Sequence, residues 1–320
     1  MTPYEQKVRK EIEDWKSQKD GLVTKALNVA GKPIDWVYEK VLPGSVQKTV
    51  GKAVSGFIEM LKDAAQWTYP DKNIVKEARK VGIEIDDHRQ LRDYDIKKLD
   101  QIARRYFSSN KIIGALEGAG CGLGGFALIA ADIPLLFTVS FRAVQQIGSS
   151  YGFDMEDPDM LPVVMSVFNA GATASEAAKT AALADMRVTT IAFSKNWTYK
   201  KVAETTQTGI VTQLLKERTK RLPKDIANNI TKRKLAQVIP LVGSVIGAGF
   251  NYWFLSNTVR ASYMIFRDMH LNMRYDSDGK PVNGKFEQTK SAQCSGTTKS
   301  GKRCSRITKH PSGYCYSHRN

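Results

Sequence analysis

The segment DYDIKKLDQIARRYF, residues 93–107, has the residue pattern of an α-helix and indicates an all-α fold. Its apolar side chains recur every three or four positions, which places them on one face of an α-helix, while lysines and arginines fill the other face. Asp93 or Asp95 is placed to cap the first turn. The apolar positions are Ile96, Leu99, Ile102, Ala103, Tyr106 and Phe107. We therefore predict an amphipathic helix whose apolar face packs against a core.

The same periodicity covers most of the first 274 residues, and strand-like alternation is scarce. Pro43-Gly44 and Tyr69-Pro70-Asp71 interrupt it and mark the ends of helices. Further helices are predicted over Tyr4–Trp15, Leu22–Val41, Val46–Trp67, Met160–Ala184, Trp197–Lys220 and Leu235 to about Tyr275. Residues 1–274 are therefore expected to form an all-α, multi-helix bundle.

The amino-acid composition of the chain limits the kinds of molecule that it is expected to bind. The chain has 320 residues, enough for one large domain and an appendage, and a formal charge of +16 with a pI near 9.6. Favourable partners are therefore anionic: nucleic acid, an acidic lipid surface or an acidic protein. The N-terminal sequence MTPYEQKVRKEIEDW is charged throughout and lacks the apolar segment of a secretory signal, so we predict a cytoplasmic location.

Two uncharged segments are rich in small residues. Gly118–Ala131, GAGCGLGGFALIAA, is too short to span a bilayer, whereas Leu235–Val259 has 25 residues without a charge and is long enough in principle. Glycines four residues apart let helix backbones approach closely in lipid or in protein. They are Gly118, Gly120, Gly122, Gly124, Gly243 and Gly247. We predict Gly-rich apolar helices that either pack as a hairpin in the core or insert into a bilayer.

Three polar residues lie in or beside these segments: Glu117, Asp132 and Asn251. A buried carboxylate or amide is costly unless it is paired. If the segments meet lipid, these residues are candidates for function; if they do not, the residues are hydrogen-bonded parts of helices.

A basic stretch, residues 216–234, directly precedes the second uncharged segment. It carries eight lysines and arginines against two acids, Glu217 and Asp225. The basic residues are Lys216, Arg218, Lys220, Arg221, Lys224, Lys232, Arg233 and Lys234. Such a cluster beside an apolar segment is attracted to anionic lipid headgroups. The alternative is the solvated face of a helix.

The composition changes at residue 275, where Gly, Pro, Asp, Asn and Ser replace apolar residues. We predict a linker over 275–293 and a separate module over 294–320. Three of the four cysteines lie in this last segment, and an odd number favours a metal site over a set of disulfides.

The tail contains the ligand set of a structural zinc site. Zinc prefers four Cys or His ligands in a tetrahedron, and Cys3His is one of the standard sets. The predicted ligands are Cys294, Cys304, Cys315 and His318, with two residues between the last two and His310 as a competitor for His318. A module this small has little core of its own, so we expect the ion to stabilise its fold.

No catalytic motif is recognised in the sequence. Gly120–Gly125 matches G-x-G-x-x-G, but no strand precedes it, and helix packing explains its glycines better. Cys121 has no histidine nearby in sequence and is interpreted as a small core residue.

Short motifs are spread over residues 4–274. They are Trp15, Glu117-Gly118-Ala119-Gly120, Asp132-Ile133-Pro134, Tyr151-Gly152-Phe153-Asp154, IPLVGSVIGAGFNYWF from Ile239 and a helix ending at Arg267 to Arg274. Together they resemble the EcsC protein family of bacteria. The resemblance implies a helical protein, associated in some members with the operon of an ABC-type exporter, in a family without an agreed activity. The tail is similar to short C-x-G-x-T-x-x-G-x-x-C tails ending in C-x-x-H that are appended to assorted bacterial and phage proteins, nucleases among them.

The sequence thus predicts an EcsC-like, non-enzymatic helical protein at the cytoplasmic face of the cell membrane, with a zinc tail for partner binding. The predicted partners are an anionic membrane surface and a membrane protein such as an ABC-type exporter. Two alternatives stay open: a nucleic-acid-associated protein that uses the basic tail, and a hydrolase whose site is not visible in sequence.

Overall fold

The computed structural model describes residues 1–18, 44–45, 48, 52, 55–57, 59, 72–107, 125–157, 160–173, 176–194, 250–276, 279–280, 292–298, 301–304, 307–308 and 318. Its helices are α1 (Pro3–Ser17), α2 (Lys72–Arg79), a 3₁₀ helix (His88–Asp93), α3 (Ile96–Phe107), α4 (Gly125–Ser150), α5 (Leu161–Thr173), α6 (Glu176–Ser194) and α7 (Phe250–Asn272). Two short strands, β1 (Ala292–Gln293) and β2 (Ile307–Thr308), lie in the tail. The described body is helical, which confirms the prediction of an all-α bundle.

Helix α1 begins and ends close to its predicted bounds. Thr2 and Glu5 form a reciprocal capping box at its start, with Pro3 in the first turn, and these contacts satisfy N–H groups that the helix itself leaves without acceptors. One face buries Val8, Ile12 and Trp15. The helix therefore docks its apolar face on the bundle.

Helix α3 has the predicted bounds, and Asp95 caps it by accepting a 2.7 Å hydrogen bond from the N–H of Lys97. Ile96, Leu99 and Ile102 are fully buried, as predicted. Phe107 differs from the prediction: the sequence pattern predicts a core-facing side chain, but Phe107 is 42% exposed. The reason is its position at the last residue of the helix, where it contacts the Tyr263 ring at 5.7 Å but is not covered.

Helix α7 is the centre of the body, because α1, α3, α4, α5 and α6 all contact it. Residues 261–271 are buried without interruption, as expected of a helix surrounded by others. An aromatic cluster of Phe57, Phe137, Phe168 and Phe254 fills the space where α4, α5 and α7 meet, with ring centroids 4.3 to 6.2 Å apart.

One predicted helix is two. The structure has α5 ending at Thr173 and α6 beginning at Glu176, where a single helix was predicted from Met160 to Ala184. A Ser followed by Glu is typical of a helix start, and Ser175-Glu176 supplies this signal inside an otherwise continuous apolar pattern. The prediction followed the apolar pattern and missed the start signal.

Several predictions fall partly or wholly outside the described residues. Leu22–Val41 and Trp197–Lys220 lie outside them, as do the six glycines of the small-residue segments, Glu117 and the basic stretch. Within Val46–Trp67, the described positions are helical. Asp132 lies in α4 and Asn251 in α7, with only their backbones described. Among the helices of the described part, none has the length and apolar character needed to cross a membrane.

Candidate functional site

The two tail strands pair antiparallel, and the described pairs of the tail share one register. Ala292 lies opposite Thr308 and Gln293 opposite Ile307, and Thr297 pairs with Arg303 in the same register. The turn is closed by a 2.8 Å bond from the N–H of Thr298 to the carbonyl of Lys302. Gly301 has φ of 77°, a backbone conformation that favours glycine. The segment between the first two predicted ligands is therefore part of a β-hairpin, whose strands the sequence does not predict.

The register places Cys294, Gly296 and Cys304 on the same face of the ribbon, because alternate residues share a face. Gly296 lies opposite Cys304, so the two cysteines are diagonal neighbours. Diagonal residues have Cα atoms about 7–8 Å apart, which is longer than the usual span of a disulfide. The arrangement suits two thiolates that share an ion.

Three of the four predicted ligands come together. One ligand atom each from Cys294, Cys304 and His318 lies within 4.8 Å of the others. Sγ of Cys294 is 3.4 Å from Nδ1 of His318, close to the separation of about 3.5 Å for sulfur and nitrogen ligands of one tetrahedral zinc ion. Both cysteines are buried. These residues are thus close enough to bind a metal, while Cys315 and His310 lie outside the described residues.

Backbone hydrogen bonds around Cys294 fit a thiolate ligand. The N–H of Cys304 donates to the carbonyl of Gly296 at 2.8 Å, but the N–H of Gly296 donates to Sγ of Cys294 at 3.3 Å. A regular antiparallel pair exchanges both of its backbone bonds. Here the carbonyl of Cys304 accepts a 3.1 Å hydrogen bond from the side-chain amide of Gln293 in place of the N–H of Gly296. A backbone N–H that donates a hydrogen bond to a cysteine sulfur helps to orient that sulfur as a metal ligand.

The side chain of Arg303 forms hydrogen bonds across the hairpin. Its Nε donates to the carbonyl of Cys294 and its Nη2 to the carbonyl of Gln293, both at 3.2 Å. One of the six basic side chains of residues 294–320 therefore has a structural role.

The body contains a buried ionic cluster that the sequence interpretation did not identify. Arg267 and Asp100 are 0% and 1% exposed, and Nη2 of Arg267 is 2.9 Å from Asp100. The same carboxylate accepts hydrogen bonds from Tyr4 at 2.7 Å and from Tyr151 at 2.6 Å. Nη1 of Arg267 donates to Glu11 at 2.7 Å. The cluster joins α1, α3 and α7 with the turn after α4.

Burial and nearby charges shift the pKa values of four groups in and around this cluster. Burial raises the pKa of Tyr151 well above 10, and burial with the nearby Asp100 charge raises that of Tyr263 to about 12. Burial alone would lower the pKa of Arg267, but Asp100 raises it above its ordinary value. Burial lowers the pKa of His270 well below 6.5, so its imidazole is neutral. The cluster is a buried ion pair whose carboxylate accepts hydrogen bonds from neutral tyrosine hydroxyl groups.

A signal for this cluster is present in the sequence. Asp100 follows Ile96 by four residues and so lies on the apolar face of α3, and Arg267 interrupts an apolar run of α7. A single charge on an apolar helix face predicts a buried partner.

Comparisons with known proteins match two separate parts of the chain. The profile of the EcsC protein family matches residues 6–271, and that of a domain of unknown function (DUF5763) matches residues 291–320. The chain is 24% identical over 262 residues to "Uncharacterized protein YdbA" of Bacillus subtilis (strain 168), covering 81% of this chain and 89% of that protein. It is 24% identical over 185 residues to "Protein EcsC" of the same organism, covering 58% and 68%. No solved structure matches the chain.

Proposed function

The chain belongs to the EcsC protein family, and from that premise we propose that it is a membrane-associated helical protein whose tail binds zinc and recruits a partner. It acts by binding rather than by catalysis. Its place is the cytoplasmic face of the membrane, beside a membrane protein such as an ABC-type exporter.

The observation that carries the zinc assignment is the 3.4 Å separation of Cys294 Sγ and His318 Nδ1, with Cys304 in the same group. Two thiolates and an imidazole are ligands that zinc prefers, and Cys315 supplies the fourth position. Zinc in such a closed site provides folding free energy and no chemistry on a substrate. The hairpin carries both cysteines of the proposed site. Its backbone N–H at Gly296 donates a hydrogen bond to Sγ of Cys294.

Metal analysis of the purified chain tests this proposal. We expect close to one zinc per chain, and loss of zinc in Cys304→Ser and Cys315→Ser because each removes one of four ligands. Cys121→Ser is the matched control, since it changes the one cysteine outside the tail and should keep the metal. Equal zinc content in the full chain and in a chain ending at Gln293 would refute the assignment.

Support for membrane association comes from the basic stretch, residues 216–234, ahead of an uncharged apolar segment. Each lysine or arginine near an anionic surface contributes about 1 kcal/mol of attraction. Eight such residues against two acids are enough for a peripheral, salt-sensitive attachment.

A second candidate function is nucleic-acid binding through the tail. Lys302 and Arg303 are exposed on the hairpin, and residues 294–320 contain no acid. Fluorescence anisotropy with a labelled DNA duplex separates the two candidates: tail-dependent, salt-sensitive binding favours nucleic acid, and its absence at low salt excludes it.

A further inference from the structure

The ring of His318 rests on Gly296. A Cβ atom built at Gly296 would overlap Cγ, Nδ1 and Cβ of His318, so the ring occupies the space that any other residue would fill. The edge that touches Gly296 carries Nδ1, and Nδ1 is also the nitrogen 3.4 Å from Cys294 Sγ. One side of the imidazole therefore faces both the hairpin and the cysteines.

Resting on the proposed zinc binding, we propose that His318 binds the metal through Nδ1 and that Gly296 is the positioning residue for this imidazole. The two ring nitrogens are distinct, and the one that binds metal must be unprotonated. Ligation through Nδ1 fixes the ring proton on Nε2. A half-turn about the Cβ–Cγ bond would bring the carbon Cδ2 to the sulfur in place of Nδ1.

The backbone at Gly296 is held in place and cannot shift to accommodate a side chain. Its N–H donates to Cys294 Sγ, and its carbonyl accepts from the N–H of Cys304, so its backbone is tied to both cysteines. A methyl group at this position must therefore displace His318 or break a contact to a ligand. Either outcome weakens the metal site.

Selective ¹⁵N labelling of histidine in the zinc-loaded full chain tests the ligating atom. The chain has four histidines, so their signals can be separated and His318 assigned with His318→Gln. We expect a long-range ¹H–¹⁵N spectrum in which Nδ1 of His318 is metal-bound and Nε2 is protonated. A metal-bound Nε2 with a protonated Nδ1 would overturn the inference.

Competition with a zinc chelator tests the role of Gly296. Gly296→Ala should bind zinc about tenfold more weakly or worse, the range seen when support of a ligand is lost. Ser295→Ala is the matched control, because Ser295 is exposed and lies on the opposite face of the ribbon. Unchanged affinity in Gly296→Ala overturns the positioning role. A wild-type chain that binds no zinc overturns the proposed function itself, whereas zinc bound through Nε2 overturns only this inference.

Discussion

Arg267 and Asp100 form an ion pair that solvent hardly reaches, at 0% and 1% exposure. Such a pair is expensive to bury and is tolerated only when hydrogen bonds satisfy the remaining donors and acceptors. Tyr4 and Tyr151 supply two of these bonds to the carboxylate, and Glu11 supplies an acceptor to the guanidinium. Removing one partner should therefore lower the free energy of unfolding by more than the intact pair contributes to it.

The first prediction concerns Arg267→Ala. It leaves Asp100 buried without its cationic partner, and we expect a loss of about 3–5 kcal/mol in the free energy of unfolding, measured by urea denaturation followed by circular dichroism. Lys7→Ala is the control, because Lys7 is 68% exposed and 3.9 Å from Glu11, where a loss below about 1 kcal/mol is expected. Similar effects of the two changes would contradict the buried pair.

The second prediction is a pH dependence at Glu5. Burial would raise its pKa, but hydrogen bonds from Thr2 and Tyr275 lower it below its ordinary value of 4.5. A lowered pKa means that this stabilisation is present above the unfolded-state pKa and is lost as the pH falls through the folded-state pKa. Glu5→Gln should flatten the fall in stability between about pH 5 and pH 3, measured by urea denaturation at each pH. Equal slopes in wild type and Glu5→Gln would refute this role.

Among the helices, α5 lies close against α7 at Gly171. A Cβ atom there would come within 2.6 Å of Oγ1 and 2.8 Å of Cα of Thr258. Because part of the obstacle is backbone, the two helices must separate to accept a methyl group.

The third prediction follows from that contact. Gly171→Ala should lower the free energy of unfolding by about 1–3 kcal/mol, since overpacking outweighs the gain in helix propensity. Gly56→Ala is the matched control: Gly56 is helical and exposed, and no atom of the described residues lies within 4 Å of the added Cβ. This change should stabilise the protein by up to about 1 kcal/mol. Stabilisation by both changes would show that the contact is looser than described.

The elements differ in how far the sequence predicts them. Periodicity was sufficient for α1 and α3, because each has one apolar face and a capping residue at its start. The hairpin was missed because its strands are short and hold few apolar residues, so no alternation is visible. The sequence still predicts the grouping of Cys294, Cys304 and His318, since cysteine and histidine spacing depends on metal chemistry rather than on periodicity. The pairing of Arg267 with Asp100 joins residues 167 positions apart and is beyond any local pattern.

At the scale of the whole molecule, the charge of +16 is the basis of the fourth prediction. Changing Lys232, Arg233 and Lys234 to Gln should weaken binding to acidic vesicles, because each lost charge removes about 1 kcal/mol of attraction. Binding to neutral vesicles should be unchanged, and the measurement is vesicle co-sedimentation at low salt. A folded wild-type chain that fails to bind acidic vesicles at low salt would refute membrane attachment.

We propose that the helical body is stable by itself, whereas the fold of the tail depends on a metal ion. Limited trypsin digestion with and without a zinc chelator tests it most directly, because lysines and arginines lie throughout residues 299–309. We expect chelation to expose these bonds to rapid cleavage while the body stays resistant and keeps its helical circular dichroism, and we expect added zinc to restore protection. Cys304→Ser should be cleaved in the tail with or without zinc. Identical cleavage of the wild-type tail in the presence and absence of the chelator would contradict the claim.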